Sequence, residues 1–143
     1  MSGGFLIDTN VLSEFNRSQP PDPKVKNWVA TTETDLLHVS VVTLSEIRFG
    51  IELLAPGKRR QQLEQWLEQD LHIWFEGRIL AIDERIGNCW ARLNAERQIR
   101  GRPLNILDGL LAATAIENDF TLVTRNVKDF IGLRMPLLNP WET

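Results

Sequence analysis

The sequence predicts an α/β fold, a central parallel β-sheet flanked by helices, and three observations lead there. Short apolar segments suited to strands alternate with stretches of helical periodicity, the pattern of a parallel sheet with helical crossovers. The chain of 143 residues, 43% of them hydrophobic, fits one domain, 1–143, that buries a core without disulfides or structural metal. Acidic residues also fall just where strand-like segments give way to helical ones.

Taken in order, Gly4–Ile7 reads as the first strand and 10–17 as a helix. SQPPDP at 18–23 is a rigid connector, because too little chain precedes it to make a domain. A helix at 23–32, a strand at Leu37–Val41 and a helix at 43–54 follow. The helix at 58–75 rests on Leu63, Trp66, Leu67, Asp70 and Leu71, an apolar stripe interrupted once by a carboxylate. Ile79–Ile82 reads as a strand and 84–100 as a helix stopped by Gly101, with Pro103 reinforcing the break. The helix at 106–118 leads to a strand at Thr121–Val123, and Pro136–Leu138 supplies a short extra strand. Trp141 then packs on this chain's core or on a partner.

Composition narrows the function. A net charge of −3 argues against a broad basic surface for duplex DNA, while leaving room for local contacts to nucleic acid. GKRRQQ at 57–62 is the densest basic run, and a solvated helix start after Pro56-Gly57 accounts for it. Trp28, Trp66, Trp74 and Trp90 sit in helical patterns, where packing explains them better than base stacking. Cys89, the single cysteine, reads as a small core residue of a protein in a reducing cytoplasm. No apolar run is long enough for a membrane span, and no export signal is evident.

Three carboxylates lie in apolar settings: Asp8 in FLIDTN, Glu46 in VTLSEIRFG and Asp108 in LNILDGLLAATA. Each has a local explanation. Asp8 suits a helix cap, Glu46 a capping box with Thr43, and Asp108 the positive end of a helix dipole. If the strand ends gather on one edge of the sheet, however, the three converge, and such a cluster takes up protons or binds a cation. Oxygen-only ligands select a hard ion, Mg²⁺ or Mn²⁺. His38 and His72 read as structural. Thr124, Arg125 and Asn126 emerge at the same edge, where Arg125 meets a phosphate or pairs with a carboxylate. Asp129 reads as facing solvent one turn on.

LIDTNVLSE, TLSEIRFG, LDGLLAATA and VTRNVKDF, in that order, resemble the four signature segments of PIN-domain nucleases, especially VapC-type toxins, and the closing NPW resembles the FitB-like branch. The resemblance spans nearly the whole chain. It implies a three-layer PIN-like fold and a metal-dependent endoribonuclease, with Mg²⁺ or Mn²⁺ as cofactor, inhibited by a cognate antitoxin. It also implies a homodimer joined into a toxin–antitoxin assembly, with operator DNA reached only through the antitoxin. By matching segments, Asp8, Glu46 and Asp108 form the acidic site, and Asn126 stands at the family's fourth acid. An asparagine coordinates through its carbonyl but adds no charge, which favours one metal over two, and Asp129 is the substitute if Asn126 points away. Thr9, Asn10 and Thr124 are expected to orient the ligands. Arg17, Arg48 and Arg125 are candidates for the RNA rim, and the surface around Leu44, Phe49, Leu53 and Leu54 for the antitoxin. A receiver domain is disfavoured by the missing acid pair after the first strand, and a haloacid-dehalogenase-type phosphatase by Asp8-Thr9-Asn10 in place of D-x-D. A noncatalytic RNA- or protein-binding module remains the alternative.

Overall fold

Alternation of apolar side chains along very short strands decides the layering. The computed structural model describes residues 3–143. Strands β1 (Phe5–Ile7), β2 (Leu37–Ser40), β3 (Ile79–Leu80), β4 (Thr121–Val123) and β5 (Leu137–Leu138) form one sheet in the order β3-β2-β1-β4-β5. Every pairing is parallel. Helices α1 (Thr9–Leu12), α2 (Pro23–Thr31), α3 (Val41–Glu52), α4 (Lys58–Gln65), α5 (Leu71–Trp74), α6 (Glu84–Ile99) and α7 (Ile106–Asn118) supply the crossovers and cover the faces.

Successive residues of a strand point to opposite faces. Ile7 and Val123 therefore join a core with Val11 and Leu12 of α1, Val25 of α2, Ile47 and Ile51 of α3, and Leu71. Leu6 and Leu122 join a second core with Leu111, Ala112 and Ala115 of α7, Phe130 and Met135. Two cores on two faces of one sheet make the three layers expected from the sequence. Among the described residues no helix is long and apolar enough to cross a membrane.

Several local features differ from the sequence reading, beginning with the helix expected at 10–17, which is α1 followed by a 3-10 turn at Ser13–Phe15. α3 starts at Val41, because Ser40 is extended and its hydroxyl accepts from the Val42 N–H at 3.0 Å. Thr43 is consequently inside the helix and forms no capping box with Glu46. The predicted 58–75 helix is interrupted by a π turn at Trp66–Asp70. The extra residue in that turn carries Asp70 to solvent while Leu67, Leu71 and Phe75 stay buried, which resolves the carboxylate in the stripe. Cys89 is half-buried on α6 and not part of either core.

α6 lies outside α7, and Gly109 permits the close approach. A Cβ at Gly109 would stand 2.9 Å from Cδ1 and 3.0 Å from Nε1 of the Trp90 indole. Gly109→Ala is therefore expected to destabilise by about 1–3 kcal/mol, the range for overpacking. The check is a lower urea midpoint at unchanged m. A higher midpoint, the sign that helix propensity alone gives, would show that the indole moves aside at no cost.

Candidate active site

Strand order reverses beside β1, which has β2 on one side and β4 on the other, and open parallel sheets bind ligands at the carboxyl ends of the strands flanking such a point. Ile7 is in register with Val123, so the residues that follow them, Asp8 and Thr124, meet at that edge. The Asp8 N–H donates to the Val123 carbonyl at 3.0 Å. Both side chains are buried, Thr124 completely.

Asp8 caps α1 and occupies the sheet edge at once, so the two readings of FLIDTN describe one arrangement. Its Oδ1 accepts from the Thr9 N–H at 2.7 Å, and its Oδ2 accepts from the Thr124 hydroxyl at 2.8 Å and from Asn10 Nδ2 at 3.4 Å. The Thr124 oxygen in turn accepts from Asn10 Nδ2 at 3.2 Å and from the Asn126 N–H at 3.0 Å. One hydroxyl thereby uses its single donor and both acceptor positions. Asn10 closes the ring, its Oδ1 accepting from the Arg125 N–H at 3.1 Å.

Glu46, on the second turn of α3, is held by the Thr9 hydroxyl, which donates to its Oε1 at 3.0 Å. Asp108 lies in the first turn of α7, where the helix dipole favours a negative charge; Asn105 caps the helix, accepting from the N–H groups of Leu107 and Asp108. Burial is the largest cause raising the pKa of each of the three acids. Mutual repulsion adds to it: Asp8 and Asp108 raise Glu46, Asp8 and Asp129 raise Asp108, and Asp129 raises Asp8. The donors on Asp8, Thr124 first, work in the opposite direction. Among the described residues none of Asp8, Glu46, Asp108 and Asp129 forms an ion pair with a cation. Arg97 and Lys128 line the cavity of Asp108 and Asp129 without pairing directly with either.

The surroundings of Asn126 and Asp129 differ. Asn126 is exposed, and its hydrogen bond at the site is its N–H to Thr124; it begins the 3-10 turn Val127–Phe130. That turn presents Asp129, which lines a cavity with Asp108 and adds to the field on Asp8 and Asp108. Sequence reasoning also misses Asn105, which lines the same cavity; an Asn three residues before Asp108 is a cap signal. Arg125 stacks over Trp141, 5.0 Å from its centroid, while Trp141 packs on the first core. Arg17 is engaged by Glu14 at 3.2 Å and by the Pro20 carbonyl. Arg48 is held in a network with Glu52, Glu64 and Glu68, away from the site. His38 stacks on Phe120, a packing role. In the basic run, Arg59 donates to the Asn16 carbonyl and Arg60 to the Leu54 carbonyl.

Comparison with known proteins follows the same map. The family model described as PIN domain matches residues 5–131, which include all four acids. The chain belongs to the PIN-domain family. Toxin FitB of Neisseria gonorrhoeae is 35% identical to it over 138 residues, covering 96% of this chain and 99% of that one. The VapC ribonuclease Y4jK of Sinorhizobium fredii is 33% identical, covering 96% and 98%. The structure of FitAB bound to an IR36 DNA fragment superposes with a TM-score of 0.87 at 34% identity, covering 96% of this chain and 95% of that one. This PIN domain thus carries its acids on the edge of a sheet whose fold it shares with those relatives, and the donor set is oxygen only, as a hard divalent cation requires. Among the described residues no three acidic, histidine or cysteine side chains are gathered tightly enough to hold an ion as they stand. The fit is one of chemistry and charge.

Proposed function

We propose that this chain is a divalent-metal-dependent endoribonuclease, the toxin of a toxin–antitoxin pair. The observation that carries this reading is a set of three acids, Asp8, Glu46 and Asp108, brought to one sheet edge, pushed up by burial and mutual repulsion, and left without a cationic partner among the described residues. Such an arrangement costs stability unless a cation is bound. Ribonuclease naming of the relative from Sinorhizobium fredii and toxin naming of the one from Neisseria gonorrhoeae support the substrate class and the biological role.

Asp8 and Asp108 would hold the ion, Asp8 through the orientation that Thr9 and Thr124 impose. Mg²⁺, with Mn²⁺ as substitute, supplies polarisation of a phosphodiester oxygen and a lowered pKa for a nearby water. Glu46, its pKa raised and its carboxylate fixed by Thr9, accepts the proton of the attacking water. In-line attack forms the new P–O bond as the bond to the 3′ oxygen breaks, and that oxygen takes a proton from solvent, leaving a 5′-phosphate and a 3′-hydroxyl. Asp129 supplies the fourth negative charge, and Asn126 supplies the turn that presents it.

Phe49 and Leu53 project from the end of α3 at 67% and 71% exposure, which keeps that end of the helix as the candidate antitoxin surface; Leu44 is half-buried against the first core. FitAB, a structural neighbour, is bound to a DNA fragment; for this chain the reading is a homodimer within a toxin–antitoxin complex that reaches operator DNA through the antitoxin. A noncatalytic module is favoured only by Asn126. Incubating the purified protein with a mixed structured RNA in Mg²⁺ or Mn²⁺, with and without EDTA, separates the two. Cutting that EDTA stops supports the nuclease. Intact RNA at every metal concentration, with folded protein free of antitoxin, would favour the noncatalytic module.

A further inference from the structure

The acidic site opens onto a second, basic hollow. A cavity of about 400 Å³ is lined by Asp108 and Asp129 and also by two cations, Arg97 and Lys128. Arg97 also walls an adjoining cavity of about 360 Å³, which Arg100, Arg102 and Arg134 line together with Ile131. One side chain thus stands between the carboxylates and a cluster of guanidinium groups. Arg97 is fixed in that place: its Nε donates to the Arg102 carbonyl at 3.0 Å and its guanidinium to the Ile131 carbonyl at 3.5 Å. These bonds clamp the end of α6 to the segment that forms the opposite wall.

The end of α6 explains two of these cations, since a helix C-terminus attracts positive charge, and Arg100 is further paired with Glu96 at 2.9 Å. It does not explain Arg102, beyond the helix, or Arg134, on the facing segment. Both are exposed, and among the described residues neither has a carboxylate partner. In a chain of net charge −3, most of whose other arginines are tied to glutamates or carbonyls, that concentration is specific to this face.

We propose that this hollow is the binding track for the single-stranded RNA flanking the scissile phosphate, with Arg102 and Arg134 contacting consecutive phosphates. The proposal rests on the nuclease reading for the position of the cut, but not for the binding itself. Guanidinium forks match phosphate oxygens, and their planes accept unstacked bases. Ile131, 66% exposed on the rim, offers an apolar surface to a ribose or base. Two adjoining hollows of a few hundred cubic ångströms admit nucleotides one at a time, whereas a stacked duplex presents its outer surface only.

The test is equilibrium binding of a fluorescent single-stranded RNA 12-mer to the full chain in EDTA, by anisotropy, over a series of salt concentrations. Removing one phosphate-binding side chain makes the slope of log K against log salt about 0.7 less negative, so the double variant Arg102→Ala/Arg134→Ala should flatten it by about 1.4. Arg102→Lys/Arg134→Lys should restore most of the slope, and Lys26→Ala, on the exposed side of α2, should leave it as it was. An unchanged slope in the alanine variant, or no RNA binding by the unsubstituted protein, overturns the proposal. Equal or tighter binding of duplex DNA, or of poly-glutamate lost on the same substitutions, overturns it in favour of a different partner. Cleavage in Mg²⁺ with an unchanged slope would leave the nuclease standing without the track; an altered slope without cleavage would leave the track without the nuclease.

Discussion

Asp8→Asn is expected to abolish RNA cleavage, a loss larger than the roughly 10–100-fold that removing an outer hydrogen-bond partner of a metal site costs. The substitution keeps the size of the side chain and removes the charge at the centre of the site, where three donors converge on one carboxylate. Thr124→Val keeps Asp8 and removes its strongest positioning side chain, so cleavage should fall by about 10–100-fold. Valine also removes an acceptor shared by Asn10 Nδ2, which keeps Asp8 Oδ2, and the Asn126 N–H, which water can reach, so stability should fall by about 1 kcal/mol. Thr124→Ser should recover both. Initial rates on one RNA, with urea midpoints measured on the same preparations, check the series. A folded Asp8→Asn protein that cuts within a few-fold of the original would exclude Asp8 from the reacting centre.

Asp108→Asn is expected to stabilise the metal-free protein and to remove its response to metal. The carboxyl pKa values of Asp8, Glu46 and Asp108 are raised in the folded state, above ordinary values of 3.8 for aspartate and 4.5 for glutamate. Between those values and the raised ones the folded chain holds more protons than the unfolded one. The stability of the metal-free protein therefore declines as pH rises through that window and stays lower above it. Removing one charge from the cluster relieves the repulsion, so the thermal midpoint of Asp108→Asn at pH 7 should lie above that of the unsubstituted protein, and the decline with pH should shrink. Mn²⁺ at about 100 times its Kd should stabilise the unsubstituted protein by about 2.7 kcal/mol, and Asp108→Asn by far less. Cleavage requires the ionised acids and should run the other way, rising with pH through the same window. Thermal scans across pH, with and without Mn²⁺, give both readouts. A lower midpoint for Asp108→Asn without metal would show that its charge is already compensated in the fold.

Much of the site is legible in the sequence because its parts are local. FLIDTN announces a strand, an acid and a helix start within six residues, and Asp108 follows a cap signal at Asn105 by three. Glu46 stands at the edge that its sequence suggests, but for a different reason: the helix is capped by Ser40 rather than Thr43, and the hydrogen bond that fixes the carboxylate comes from Thr9. Asp129 is harder to read, because sequence spacing makes it look one turn removed. The 3-10 geometry of Val127–Phe130 returns it to the cavity that holds Asp108.

By itself the sequence determined the alternation of strands and helices, the oxygen-only chemistry of the acids, and the place of Asp8 at a strand end and of Asp108 at a helix start, since periodicity and capping act over a few residues. Only the tertiary structure decided that β4 lies beside β1, which brings Thr124 onto an aspartate 116 positions earlier in the chain. It alone decided, too, that Arg97 joins the acidic cavity to a basic one. Parallel strand pairing and helix-end packing join segments far apart in the chain, and their register is set by how two cores fill on either side of the sheet, which no local pattern records.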